Sequence, residues 1–128
     1  ADWRVDLAAS QKIKKEAGAA PPALRFLENP DILADVASST RAQAGALYCV
    51  GFAAETQYLQ AQAQAKRVRK GVPLMVGNLG PATFGQDDNA LLVIDEQGTL
   101  ELPLASKLTL ARQLMAEIAN RIGKKELL

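Results

Sequence analysis

Apolar residues form two short, nearly unbroken runs in the middle of the chain. The first run covers residues 46–54 and the second covers residues 74–77, and glycine or polar residues bound both. Runs of this length with few polar positions are typical of strands that a parallel sheet buries on both faces. The pattern therefore predicts two buried parallel strands with a crossover helix between them.

Three segments carry helix signals. Asn29 as a cap, with Pro30 and Asp31 in the first turn, predicts a helix over residues 30–41. The alanine- and glutamine-rich residues 55–70 predict a second helix, which Gly71 ends in the C′ position. Ser106 is expected to cap a last helix, in which apolar residues recur at three- and four-residue steps: Leu108, Ala111, Met115, Ile118 and Ile122.

The rest of the pattern predicts a weak strand, a hairpin and an irregular segment. Residues 24–28 favour a short strand, and residues 90–95 and 99–104 favour a hairpin. Glycine and paired prolines beside like charges predict an irregular, mobile segment over residues 10–23. Alternating helices and buried strands predict an α/β domain with a mainly parallel sheet. Two buried strands are few for such a domain, so we expect residues 1–128 to be its C-terminal part.

Composition narrows the class of protein. The 128 residues are 48% hydrophobic and 23% charged, which argues against a disordered chain. No apolar run approaches the roughly 18 residues of a membrane span. Histidine is absent and Cys49 is the single cysteine, which argues against zinc sites, disulfide frameworks and Ser-His nucleophiles. With no signal peptide in view, we expect a cytoplasmic protein with no membrane partner.

A net charge of +1 conceals two basic clusters. Three lysines stand in the KIKK run and four cations stand together further on: Lys12, Lys14 and Lys15, then Lys66, Arg67, Arg69 and Lys70. No aromatic residue interleaves with them, which argues against a nucleic-acid partner. Concentrated cationic charge fits a compact polyanion such as a phosphorylated metabolite, and the alternative is a solvated basic surface.

Open α/β sheets bind ligands beyond the carboxyl ends of their strands. Those ends here are predicted at Ala1-Asp2, at Phe52–Glu55 and at Gly77-Asn78. The KIKK segment is a candidate lid over phosphates, and Lys66 and Lys70 share a helix face. Each feature has a plainer alternative. The strand ends can be ordinary loops, and the KIKK segment can be an exposed basic loop. Lys66 and Lys70 can be cations that complement the helix dipole.

Five motifs follow one another along the chain: ADWR at 1–4, KIKK at 12–15, NPDIL at 29–33, VGFAAET at 50–56, and the pair Lys66 and Lys70. Together with Phe84-Gly85, Asp88-Asn89 and Ser106-Lys107, they resemble phosphopantothenoylcysteine synthetase. This family is the ligase half of the bifunctional bacterial enzyme of coenzyme A biosynthesis.

The resemblance implies a Rossmann-like three-layer sandwich with a mainly parallel sheet, a C-terminal hairpin plus helix, and assembly as a homodimer or larger homo-oligomer. It implies ligation of cysteine to 4′-phosphopantothenate through an acyl-cytidylate, with CTP as co-substrate and Mg²⁺ or Mn²⁺ as the metal. Lys12, on the mobile loop, is the implied catalytic residue. The implied nucleotide site comprises Asp2, Lys12, Pro30, Asp31, Ile32, Leu33, Phe52, Lys66 and Lys70. No side chain is assigned to the metal, and FMN belongs only to a decarboxylase domain outside this chain.

Three features qualify what the resemblance implies. The family's glycine-rich first half is absent before Ala1, so we expect this chain alone to be inactive. Asn78 is followed by Leu79-Gly80-Pro81, where the family has Asn-Asp-Val-Ser. A continuous helix from Glu55 places Lys66 and Lys70 about 15–20 Å along its axis, so we expect both to point away from the strand ends.

Three functions therefore stay open at this point. The first is the CTP-dependent ligase. The second is a non-catalytic nucleotide-binding module of the same fold, and the third is a dimerisation module built on the hairpin.

Overall fold

The computed structural model describes residues 2–7, 10–11, 13–79 and 85–126, except for the side chains of residues 79 and 124–126. The chain divides into two compact units, Ala1–Ile32 and Leu33–Leu128. Lys12 of the KIKK run and residues 80–84 lie outside the described residues.

The first unit contains one pair of short antiparallel strands. Strand β1 (Trp3–Val5) pairs with β2 (Phe26–Glu28), and Val5 lies opposite Phe26. The predicted strand at 24–28 is confirmed over its last three residues. The described residues between 13 and 25 form no helix or strand, as the glycine and paired prolines predicted. Two three-residue strands are a marginal structure by themselves.

The second unit is built on a four-stranded sheet in the order β3-β4-β5-β6. Its strands are β3 (Val50–Glu55), β4 (Leu74–Leu79), β5 (Asp88–Ile94) and β6 (Thr99–Ser106). β3 and β4 are parallel, as predicted. Burial on both faces is confirmed for β4 but is wrong for β3, which exposes Phe52 and Ala54 on one face. The predicted hairpin is confirmed as β5 and β6, and β5 also pairs antiparallel with β4. Parallel pairing is therefore confined to β3 and β4 among the described strands, because the hairpin extends the same sheet.

Four helices accompany the described strands: α1 (Ile32–Ala37), α2 (Thr40–Gln43), α3 (Leu59–Lys70) and α4 (Lys107–Glu126). The single helix predicted over 30–41 is wrong, because two serines interrupt it. The hydroxyl of Ser38 donates to the Asp35 carbonyl at 2.9 Å, and the Ser39 hydroxyl accepts from Ala42 N at 3.3 Å and so caps α2.

The predicted end of α3 and the predicted start of α4 are confirmed, whereas the predicted start of α3 is wrong. Gly71 has a φ of 66° and ends α3 as a left-handed C-cap. Ser106 caps α4 by accepting a hydrogen bond from Thr109 N at 3.2 Å. α3 begins at Leu59 rather than at Glu55, because the chain turns through Tyr58 at a φ of 50°.

Apolar side chains fill both faces of the sheet. One cluster joins the strands to the α1–α3 side: Ala37, Cys49, Ala53, Ala63, Val72, Met75 and Ile94. The second cluster joins them to α4: Leu74, Val76, Val93, Leu102, Leu110 and Leu114. Helices thus cover both faces, which confirms the three-layer α/β architecture. Cys49 is 7% exposed and serves as a small core residue.

Candidate functional site

A carboxylate and an ammonium meet where β3 ends. Glu55 is the last residue of β3, and Lys66 Nζ lies 2.7 Å from its Oε1. The Glu55 side chain is 15% exposed and that of Lys66 is 36% exposed. We call this region the carboxyl edge, formed by Glu55 and by Asn78 near the end of the adjacent parallel strand β4. It is the edge at which open α/β sheets bind ligands.

The predicted distance of Lys66 from the strand ends is wrong, because the helix starts later and runs back. α3 begins at Leu59, four residues after Glu55, and runs back along the parallel strands, with Leu59 and Ala63 against Gly77. The long side chain of Lys66 points toward the start of its helix. Its ammonium therefore reaches Glu55 at the end of β3.

Lys66 and Lys70 lie on the side of α3 that faces the sheet. One stripe, at the spacing of a single helix face, holds Leu59, Ala63, Lys66 and Lys70. Ala63 is fully buried. Gly77 of β4 allows this close approach, since a Cβ there would lie 2.9 Å from Leu59 Cδ1 and 3.3 Å from Ala63 Cβ. Two half-buried cations therefore occupy positions where a core-facing helix normally carries apolar residues.

Phe52 lies on the other face of β3. Side chains alternate along a strand, and Ala53 packs into the cluster on the α3 side. Phe52 is consequently directed away from α3, and it is 67% exposed. β3 is an outer strand of the sheet that the described residues form. One ligand reaches both Phe52 and Lys66 only at the carboxyl edge or around the free side of β3.

Two of the predicted nucleotide-site motifs converge within the first unit. Asn29 N donates to the Asp2 carbonyl at 2.8 Å, although 26 residues lie between the two along the chain. Arg4 Nη1 holds the same turn by donating to Asn29 Oδ1 at 3.1 Å and to the Glu28 carbonyl at 3.0 Å. Ile32 N donates to the Pro30 carbonyl at 3.1 Å. Asp2 and the NPD turn are thus neighbours through backbone hydrogen bonds.

Of the predicted site residues Leu33 and Lys12, the structure describes only Leu33. A Cβ on Gly51 would lie 2.9 Å from Leu33 Cδ2, so Leu33 packs over the backbone of β3. Lys12, the implied catalytic lysine, lies outside the described residues, and its role stays a prediction. Lys14 and Lys15 are exposed, as an uncovered loop requires.

A cleft lies at the opposite end of the parallel strands. It measures about 440 Å³ and is lined by residues that precede β3 and β4, among them Tyr48, Cys49 and Val72. Arg67 is the cation among its lining residues, and its Nε donates to Gln64 Oε1 at 3.0 Å. The C-terminal end of α3 disfavours anions there, because helix carbonyls carry partial negative charge. The carboxyl edge is the better candidate for a phosphorylated ligand.

An ion network ties the β5–β6 turn to α4. Asp95 Oδ2 accepts from Arg121 Nε at 2.9 Å, and Asp95 Oδ1 accepts from the backbone of Gln97 at 2.8 Å and of Gly98 at 3.1 Å. Partial burial raises the pKa of Asp95, but the hydrogen bonds from Arg121 and Gln97 outweigh it and hold the pKa below its usual value. This network fixes the hairpin and has a structural role rather than a place in the candidate site.

Two features are absent from the described part of the chain. Within that part, no three Cys, Asp or Glu side chains converge as metal ligands. No helix there has the length and apolar character needed to cross a bilayer.

Glu55 is the residue that site prediction from sequence missed. It stands in the predicted strand end Phe52–Glu55 but not among the residues of the implied nucleotide site. The signal lies in the alternation Gly51, Ala53, Glu55 on one face of β3, combined with Lys66 on the inner stripe of α3. Both patterns place a charged group at a core-facing position, and together they indicate a pair.

Sequence comparisons identify relatives over nearly the whole chain. Residues 1–122 match the model of the DNA/pantothenate metabolism flavoprotein C-terminal domain. The coenzyme A biosynthesis bifunctional protein CoaBC of Vibrio cholerae is 38% identical over 118 residues, which are 90% of this chain and 29% of that protein. CoaBC of Escherichia coli is 37% identical over 129 residues, which are 98% of this chain and 31% of that protein. The chain therefore spans about three-tenths of the length of these curated relatives.

Two solved structures share the fold. The C-terminal domain of a coenzyme A biosynthesis bifunctional protein CoaBC superposes with a TM-score of 0.64 at 24% identity, over 79% of this chain and 46% of that one. The DNA/pantothenate metabolism flavoprotein from Streptococcus pneumoniae superposes with a TM-score of 0.63 at 14% identity, over 84% of this chain and 46% of that one. At these identities the likeness establishes the fold alone.

Proposed function

The chain belongs to the family of DNA/pantothenate metabolism flavoprotein C-terminal domains, and we propose that it is the nucleotide-binding part of a CTP-dependent phosphopantothenate–cysteine ligase acting in coenzyme A biosynthesis. The names of the relatives support the pathway. The observation that carries the nucleotide site is Lys66, a half-buried ammonium at the carboxyl edge of the parallel pair.

The proposed reaction has two steps. The carboxylate of 4′-phosphopantothenate attacks the α-phosphorus of CTP, which forms an acyl-cytidylate and releases pyrophosphate. The amine of cysteine then attacks the acyl carbon, which forms the amide and releases CMP. Both steps depend on positioning and on neutralising phosphate charge, and lysine side chains supply that charge. Magnesium enters as part of the Mg·CTP substrate, because phosphate oxygens are ligands that it prefers.

The proposed contacts are those that the resemblance to the family implies. Lys66 and Lys70 neutralise phosphate oxygens from the inner stripe of α3. The NPD turn and Asp2 offer carboxylate, carbonyl and N–H groups suited to the hydroxyls and amine of a nucleoside. Phe52 offers an exposed ring in the middle of β3, on the face opposite α3. Lys12 supplies a further cation from the KIKK loop. The proposed protein acts in the cytoplasm as a homodimer or larger homo-oligomer.

Calorimetry with Mg·CTP on the full-length protein tests the nucleotide site. We expect Lys66→Gln to weaken binding by about 10- to 100-fold, the worth of one hydrogen bond to a charged group. Arg69→Gln is the matched control, since it removes an exposed cation from the same helix and should leave binding unchanged. Equal effects of the two variants would contradict the site. Nucleotide binding without ligated product would favour the non-catalytic module.

A further inference from the structure

The pair between Glu55 and Lys66 has a geometry that a surface ion pair lacks. Glu55 Oε1 is buried, and among the described residues none donates a well-angled hydrogen bond to it. The Lys66 ammonium 2.7 Å away is its charge partner. The carboxylate therefore acts on Lys66 chiefly through charge, at the point where the strands end.

Stability alone is a weak reason for such a pair. Desolvating a carboxylate and an ammonium offsets much of their attraction, and apolar replacements of buried pairs are often no less stable. The neighbouring inner positions of α3 and β3 are apolar or small, namely Ala63 and Ala53, and both are buried. A functional role for the two charges therefore explains the pair better than a contribution to stability does.

We propose that Glu55 is a positioning residue that holds the Lys66 ammonium at the carboxyl edge for the phosphates of CTP. A free lysine side chain samples many rotamers and loses that freedom on binding a ligand. A lysine that Glu55 already orders loses less, so the nucleotide binds more tightly. The inference rests on the proposed function, because it needs Lys66 to contact the nucleotide.

Geometry makes Glu55 suited to this task. It is the last residue of β3, so a rigid strand fixes its backbone. The parallel partner β4 extends alongside, and Glu55 lies in register with Leu79. α3 is fixed against the same strands by the close contact of Leu59 and Ala63 with Gly77. Both partners of the pair are therefore mounted on packed elements rather than on loops, which is what preorganisation requires.

A double-mutant cycle in the full-length protein tests the inference, with steady-state ligation as the readout. Glu55→Gln should raise the KM for Mg·CTP about 3- to 10-fold, from the cost of ordering one long side chain. The KM for cysteine should stay unchanged, because cysteine enters only after the nucleotide step. Glu55→Asp keeps the charge and should restore part of the loss. In a Lys66→Gln background, Glu55→Gln should add less than about 2-fold, since its effect acts through Lys66.

The possible outcomes separate the two proposals. A Glu55→Gln protein with unchanged or lower KM for Mg·CTP overturns the positioning role, and so does an equal effect of Glu55→Gln in both backgrounds. Thermal unfolding of each variant accompanies the kinetics, and if Glu55→Gln does not fold, Glu55→Asp in the two backgrounds decides the matter in the same way. A wild-type protein that ligates with another nucleotide but not with CTP overturns the proposed function itself, and the positioning role with it.

Discussion

Replacing Gly77 by alanine probes the contact that sets the height of α3 above the sheet. The added Cβ would lie 2.9 Å from Leu59 Cδ1 and 3.3 Å from Ala63 Cβ. Ordinary carbon contacts lie at about 3.5–4.0 Å. The Leu59 methyl can rotate away, but the Cβ of Ala63 is fixed to the helix backbone, so α3 itself must move by a few tenths of an ångström.

We expect Gly77→Ala to destabilise the fold by about 1–3 kcal/mol, the usual cost of overpacking a core contact. For a chain of 128 residues this corresponds to a fall in Tm of about 3–5 °C for each kcal/mol. The same displacement moves Lys66 away from the carboxyl edge. Binding of Mg·CTP should therefore weaken along with stability.

Gly123→Ala is the matched control. Gly123 lies in α4, and a Cβ there would meet nothing within 4 Å. Alanine in a helix is more favourable than glycine, so this variant should gain about 0.5–1 kcal/mol. Urea unfolding of both variants gives the comparison. Equal stability of the two alanine variants would refute the contact between α3 and β4 as described.

Three further predictions address the scaffold and the loop. Asp95→Asn should lower the free energy of unfolding by about 1 kcal/mol at pH 7, measured by urea unfolding. Because the pKa of Asp95 is lower in the folded than in the unfolded protein, this contribution is complete above about pH 4 and is lost as pH falls through the folded pKa. A difference between the two proteins that does not depend on pH would contradict this prediction. Gly71→Ala should cost about 1–2 kcal/mol, because φ is 66° there, and unchanged thermal unfolding would contradict it. Lys12→Gln should lower ligation activity without altering Tm, and full activity would rule out the lid.

Local signals predicted most of the elements, because the residues that decide them are neighbours in the chain. Gly71 ends α3 and Ser106 starts α4 through contacts within one turn. The two parallel strands followed from continuous apolar runs, although one face of β3 is exposed. The break between α1 and α2 was also legible, since Ser38 and Ser39 offer competing hydrogen bonds, but the apolar spacing outweighed them in the prediction.

Placement of the site depended on distances that no local pattern carries. The interval from Glu55 to Lys66 is eleven residues in sequence but 2.7 Å in space. That closeness results from a turn at Tyr58, whose φ of 50° is unusual for a residue other than glycine. The resemblance implies Lys66 as a site residue, whereas its pairing with Glu55 depends on the course of α3 back along β3.

Ligation by the full-length protein, followed with CTP labelled at the α-phosphate, tests the central claim most directly. The account predicts that labelled CMP forms in equal amount with 4′-phosphopantothenoylcysteine, and only when 4′-phosphopantothenate, cysteine and magnesium are all present. Lys66→Gln should slow this reaction at limiting CTP, while Arg69→Gln should not. A wild-type protein that binds 4′-phosphopantothenate yet releases no labelled CMP and forms no amide would contradict the account.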